Sequence, residues 1–200
     1  MPTSRRDFIK ASAALAAVTG ARAAFAQPTY LTAKPSDSFV DDLALEALNA
    51  AQAAGASYAD ARIGRYRRQF VATREHNVTG VADSESYGIG VRALVQGSWG
   101  FASTSTMTKE GVGRVAQEAV RLAKAAHSAQ KRPVVLAPVT PVKGTWRTPT
   151  TRDPVDVPIE EKVAMLLAAN EAALKVPKVR FVNSGLQLLR EEKTLATTDC

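Results

Sequence analysis

Apolar and polar positions alternate most cleanly between Tyr87 and Ser105, YGIGVRALVQGSWGFASTS. Ile89, Val91, Ala93 and Val95 interleave with Gly88, Gly90, Arg92 and Leu94, the period of two expected of a strand. Gln96-Gly97-Ser98 reads as a short turn, and Trp99 to Ser103 resumes as a second strand. Glycine weakens a strand, so Gly88, Gly90, Gly97 and Gly100 point to bulges, a tight turn or close approach of another backbone. The Ser/Thr run 103–106 then leads into a helix. The pattern therefore predicts a β-hairpin that delivers the chain to a helix N-terminus.

Around this hairpin the period shifts to that of helices. Thr108 is suited to an N-cap and Glu110 to the first turn. Val112, Val115, Ala116, Ala119, Leu122, Ala123 and Ala126 form an apolar stripe, predicting a helix to about Ala129. An earlier helix is expected from Ser38 to Ala54, with Leu43, Ala47, Ala50 and Ala54 on one face and Gly55 as its stop. Strand-like sequence covers Tyr58–Arg65 and Phe70–Val78. A Pro- and Thr-rich loop, with Trp146 as its expected anchor, spans Lys131 to Pro158. A third helix is expected from Pro158 to Lys175, stopped by Val176-Pro177. Two more strands follow, Lys178–Leu189 and Thr194–Asp199, turned by residues 190–193. Short connections between strands predict antiparallel pairing and an α+β domain, an antiparallel sheet with helices packed on one face.

The first 26 residues stand apart. Arg5-Arg6 followed by Asp7, Phe8, Ile9 and Lys10 matches the twin-arginine export pattern, an Ala-rich run follows, and Ala24-Phe25-Ala26 offers a small-x-small cleavage site. The run is too short to span a bilayer stably. The expected organisation is a signal peptide over 1–26, a flexible leader over 27–40 and one domain over 41–200, placed in the periplasm. Removing the signal lowers the formal charge from +7 to +4, since it holds Arg5, Arg6, Lys10 and Arg22 against Asp7. That balance does not make a nucleic-acid-binding protein. Arg62, Arg65, Arg67 and Arg68 read as a solvated sheet face.

Little catalytic chemistry is visible. A hydrolytic metal site needs two or three converging ligands, commonly two on one helix face. His76 and His127 stand on separate elements, Glu75-His76 being expected on a strand. The single cysteine, Cys200, ends the sequence. No catalytic or metal-binding residue is assigned, and the chain is not expected to bind zinc or hydrolyse peptides alone. Gly88-Ile89-Gly90-Val91-Arg92-Ala93 fits a dinucleotide-binding pattern, but within a strand instead of at a helix start. The candidate functional surface is the hairpin itself. Gly90, Arg92, Trp99, Gly100, Phe101 and Ser103 would form a substrate or interface surface, with aromatic side chains beside a backbone free to pair with a peptide.

The same residues carry a resemblance. G-x-G-V-R at Gly88–Arg92 and W-G-F-A-S-T at Trp99–Thr104, then a helix, are similar to the N-terminal domain of the TldD/PmbA family of metallopeptidases. The likeness extends upstream through Ala54–Arg62 and downstream through Phe181-Val182-Asn183-Ser184, covering roughly Asp41 to Asp199. The resemblance implies a zinc-binding H-E-x-x-x-H in a C-terminal domain that this chain ends before reaching, so zinc is expected there and no cofactor in this chain. It also implies proteolysis, a peptide substrate and a TldD/PmbA-type partner in a homo- or heterodimer. The W-G-F-A-S-T segment looks more like the TldD type. The expected role is a non-catalytic domain, or truncated copy, of an exported metallopeptidase that supplies substrate-channel and dimer contacts. A stand-alone module binding a peptide or partner is the alternative.

Replacing both Arg5 and Arg6 with lysine is expected to abolish export, because the twin-arginine route reads the pair itself. Cell fractionation measures this, and unchanged export of the variant would refute the signal assignment.

Overall fold

A computed structural model describes residues 38–199. Helix α1, Ser38–Ala53, leads into strand β1, Tyr58–Arg74, which turns directly into β2, Asn77–Val95, and then β3, Ser98–Thr104. Helix α2, Lys109–His127, follows. A long exposed connection contains one 3₁₀ turn, Pro154–Asp156, before helix α3, Ile159–Leu174, and strand β4, Asn183–Thr197. The strands form one antiparallel sheet in the order β3-β2-β1-β4. This is the expected α+β class. The compact body holds the described residues up to Gly144 and from Thr148 onward, and residues 145–147 group apart from it.

Helix boundaries agree with the pattern to within two residues. The Thr108 side chain accepts a hydrogen bond from the Gly111 amide, as an N-cap should. Gly55, at φ +102°, ends α1 by letting the Gly55 and Ala56 amides turn back onto the Gln52 and Ala51 carbonyls.

The strands differ from expectation in two places. Tyr58–Arg65 and Phe70–Val78 were expected as separate strands, yet β1 runs unbroken through Tyr66–Gln69, and the turn falls at Glu75-His76. His76 therefore lies in a turn, not on a strand. Likewise, in place of the two strands expected at Lys178–Leu189 and Thr194–Asp199 there is one, Asn183–Thr197, and Arg190–Lys193 lie inside it. At 190–193 a charged run resembled a turn, and at 66–69 a polar run separated the two expected strands. The charges are tolerated because each lies on a sheet surface beside an opposite charge or water.

Side-chain alternation puts Ala59, Ala61 and Ile63 of β1 and Ile89, Val91, Ala93 and Val95 of β2 on the face covered by α1 and α2. Leu43, Ala44, Ala47, Leu48 and Ala51 meet them from α1, and Val112, Ala116, Ala119, Val120 and Ala123 from α2. Val120 replaces Leu122 and Ala126 of the expected stripe, both of which are exposed. So many alanines let helix backbone come close to the sheet, and closest at Gly100. A Cβ there would run into the Ala119 carbonyl and the Ala123 amide of α2. Gly100 thus belongs to the helix-covered face, which corrects its assignment to a binding surface.

Helix α3 packs farther along the same face through polar groups. Lys162 donates to the Gln69 side chain, and Asn170 donates to the Thr73 hydroxyl and the Glu75 carbonyl. The Ser184 hydroxyl donates to the Asn170 side-chain oxygen. These groups are buried or nearly so, and their mutual bonds remove the cost of dehydrating them. The long connection is pinned at its start by Gln130, which bonds Ser98 and the Gly97 carbonyl, and at its end by Arg190, paired with Asp153 and Asp156. Trp146, the expected anchor, is 64% exposed.

Gly100→Val should destabilise the fold, because the obstructing atoms are helix backbone and cannot rotate away. A loss of about 3 kcal/mol is expected for overpacking of this kind. Thermal unfolding measures it, and a variant melting with the parent would disprove the close-approach reading.

Candidate functional site

The sheet face opposite the helices is where the remaining hairpin residues gather. Tyr58, Leu94 and Trp99 form one cross-strand row; Asp60, Arg92 and Phe101 form the next; Arg62, Gly90 and Ser103 form a third. Of the six residues expected there, Gly90, Arg92, Trp99, Phe101 and Ser103 share this face, and Gly100 does not. Among the described residues no helix covers it. Phe101 is 57% exposed, and its ring lies across Gly90, where a Cβ would come within 2.9 Å of it.

Asp60 organises the cluster, although nothing in the pattern singled it out. Its side chain is only 1% exposed, and both oxygens are engaged. Arg92 Nε donates to Asp60 Oδ1 at 3.1 Å and Oδ2 at 2.9 Å, and its terminal nitrogen lies 2.6 Å from Oδ2. Arg62 Nε donates to Oδ1 at 3.1 Å. The Arg92 guanidinium also sits 5.0 Å from the centre of the Trp99 ring, and Tyr58 meets that ring edge-on at 5.8 Å. Hydrogen bonding to Asp60 raises the Arg92 pKa, and burial followed by the Asp60 charge raises that of the Tyr58 hydroxyl. Arg92 is thus fixed as a cation with one side held by a carboxylate and its plane against an indole.

Two arginines expected on the same solvated face lie on the other one. Arg65 pairs with Glu85 and Arg67 with Asp83, in the gap between the parts covered by α2 and α3. Hydrogen bonds from Arg67 and Gln69 pull the Asp83 carboxyl down to about 2. Arg62 and Arg68 stay on the open face, with Arg68 over the Tyr66 ring at 5.3 Å.

Strand β3 forms an edge of the sheet. The two-residue turn at Gln96 and Gly97, both at positive φ, closes on the Val95–Ser98 pair. Alternate β3 residues from Ser98 therefore bond β2, and the backbone groups of Trp99, Phe101 and Ser103 point outward. Among the described residues no backbone hydrogen bond reaches them.

His76 lies in the β1–β2 turn and His127 in the last turn of α2. Near His76, Glu75 pairs with Arg74 and Glu171 with Lys175. Among the described residues no three His, Cys, Asp or Glu side chains converge. Arg5, Arg6, Phe8, Lys10, Ala24, Ala26 and Cys200 lie outside the described residues, and no described helix is long and apolar enough to cross a membrane.

Removing the Asp60 carboxylate leaves two cations without their partner. Fully buried charges so stranded cost about 3–5 kcal/mol, but Arg62 and Arg92 are half-exposed and can rehydrate. Asp60→Ala should therefore lower stability by roughly 1–2 kcal/mol, and Asp60→Asn by less. Denaturant unfolding tests this, and an unchanged midpoint for Asp60→Ala would contradict the organising role.

Comparison with known proteins accords with this geometry. Residues 59–123 match the model for PmbA/TldA metallopeptidase domain 1, and residues 2–21 match that for the twin-arginine translocation signal sequence. Metalloprotease MJ0996 of Methanocaldococcus jannaschii is 22% identical over 110 residues, which are 55% of this chain and 24% of that protein. The crystal structure of TldE from Thermococcus kodakarensis superposes with a TM-score of 0.62 at 13% identity, covering 80% of this chain and 35% of that one. A Bacteroides thetaiotaomicron protein described as a candidate modulator of DNA gyrase gives 0.58 at 18% identity, covering 78% and 38%. The chain thus spans about a quarter of the curated relative and just over a third of these solved chains. Residues 59–123 are thus similar to the first domain of PmbA/TldA metallopeptidases, and residues 2–21 to a twin-arginine signal sequence.

Proposed function

We propose that this chain is a non-catalytic, peptide-contacting part of an exported metallopeptidase of the TldD type, acting in the periplasm within a dimer. The observation that carries the reading is the edge of β3, unpaired among the described residues, with Trp99 and Phe101 beside it, inside the segment that matches the family model. An extended peptide can pair with the outward groups of Trp99, Phe101 and Ser103, gaining main-chain hydrogen bonds without demanding a sequence. The aromatic side chains then lie against every second peptide side chain. Such sequence-tolerant holding suits a protein that presents unfolded chain to a hydrolytic centre. The zinc that this reading implies would be held outside residues 38–199, on a partner or on further chain, and the residues described here would position the substrate. A TldD/PmbA-type partner subunit is the proposed second half of the dimer.

Amide exchange on the purified full chain tests the proposal. A saturating extended peptide should slow exchange at Trp99, Phe101 and Ser103 at least tenfold and leave the middle of α2 unchanged. No protection on β3, or protection confined to other elements, would overturn it.

A further inference from the structure

The open face combines two features. It leaves large apolar side chains bare, with Phe70 44%, Leu189 54% and Leu195 60% exposed beside Phe101. It also has surplus positive charge. Arg62, Arg68, Arg92 and Lys193 lie there against Asp60 and Glu191, and Asp60 is sealed beneath two of those cations. On the helix-covered face, by contrast, Arg65, Arg67 and Arg190 are matched by Glu85, Asp83, Asp153 and Asp156. The charge excess is therefore a property of one face and not of the composition.

We propose that the open sheet face docks an extended, acidic segment of polypeptide, with Arg62, Arg68, Arg92 and Lys193 receiving its carboxylates and Phe70, Phe101, Leu189 and Leu195 its apolar side chains. The proposal rests on the peptide-contact reading above and gives it a substrate class. From the Asp60 row to the Arg68 row is eight residues of strand, roughly 26 Å, the length of an extended segment of about the same number of residues. With strands about 4.8 Å apart, the face over that length offers on the order of 500 Å², somewhat less than one partner contributes to a standard interface and in keeping with a short peptide segment. A second copy of this chain is disfavoured, because the same cations would face each other. Nucleic acid is disfavoured as well. Leu189 and Leu195, a large part of the exposed apolar surface, give bases no ring to stack on, and Glu191 on the same face would repel a phosphate backbone.

The probe is a labelled, capped dodecapeptide of three Glu-Leu-Glu-Ser repeats, with Gln and Lys replacing Glu in two matched controls, titrated into the full chain by fluorescence anisotropy. The Glu peptide should bind at least tenfold more tightly than the Gln peptide, weaken several-fold between 50 and 300 mM salt, and outcompete the Lys peptide. Arg68→Glu combined with Lys193→Glu, which leaves the Asp60 pairs intact, should lose at least tenfold in affinity at an unchanged melting temperature. Arg114→Glu, on the exposed side of α2, should bind like the parent. Equal affinity for the Glu and Gln peptides would overturn the acidic preference while leaving the peptide-contact reading standing. Failure of all three peptides to bind would overturn both. Tighter binding of a dodecathymidine strand than of the Glu peptide, lost in the same double variant, would reassign the face to nucleic acid and overturn the proposal. So would a double variant that binds the Glu peptide normally.

Discussion

Pairing of β1 along its whole length with two neighbours is the constraint on which this fold depends. Each of its residues from Asp60 to Arg74 lies between a partner on β2 and a partner on β4. Because side chains alternate, this one strand divides the molecule into a helix-covered face and an open one. It also divides the covered face along its length. Ala59, Ala61 and Ile63 lie under α1 and α2; Gln69, Val71 and Thr73 lie in the half that α3 covers; Arg65 and Arg67 fill the gap. The two halves use different chemistry, an alanine-rich apolar core in one and a closed polar network in the other. A one-residue slip of β1 would exchange Asp60 and Arg62 for Ala59 and Ala61 beneath the helices, so the register is strongly fixed.

Glycine acts in this structure mainly by permitting contact. At Gly100 the absent side chain lets α2 lie directly on β3, which orients Trp99 and Phe101 to the opposite face. At Gly90 it makes room for the Phe101 ring. The two positions lie on opposite faces of one hairpin and together settle where its aromatic side chains stand. The strand stability lost at each glycine, roughly 0.5–1 kcal/mol, is small beside the burial that the close approach makes available.

The helices and the hairpin were legible in the sequence because their signals are local. Thr108, Gly55, Gln96-Gly97 and the alternation around Val91 each act within a few residues. Residues 66–69 and 190–193 misled for a complementary reason. A polar or charged run carries no local strand signal, and it becomes strand only because β1 and β4 supply each other's hydrogen bonds across the sheet. Asp60 was missed for the same cause. Its partner Arg92 lies 32 residues away, and only the antiparallel register sets the two side by side. Gly100 signalled the close approach of another backbone without saying which, and the occupant is the chain's own helix.

The buried Asp60 also bears on what the open face can recognise. A guanidinium free in solution surrenders considerable rotamer freedom when it grips a ligand. Arg92 has surrendered it already, held from one side by Asp60 and from another by Trp99. What remains is a fixed, partly exposed cation beside an aromatic ring and a strand edge unpaired among the described residues. The carboxylate lowers the net charge of the cluster, so it weakens long-range attraction while improving geometry. Selection of a ligand then depends on short-range fit between fixed charges and apolar side chains more than on the overall basicity of the chain.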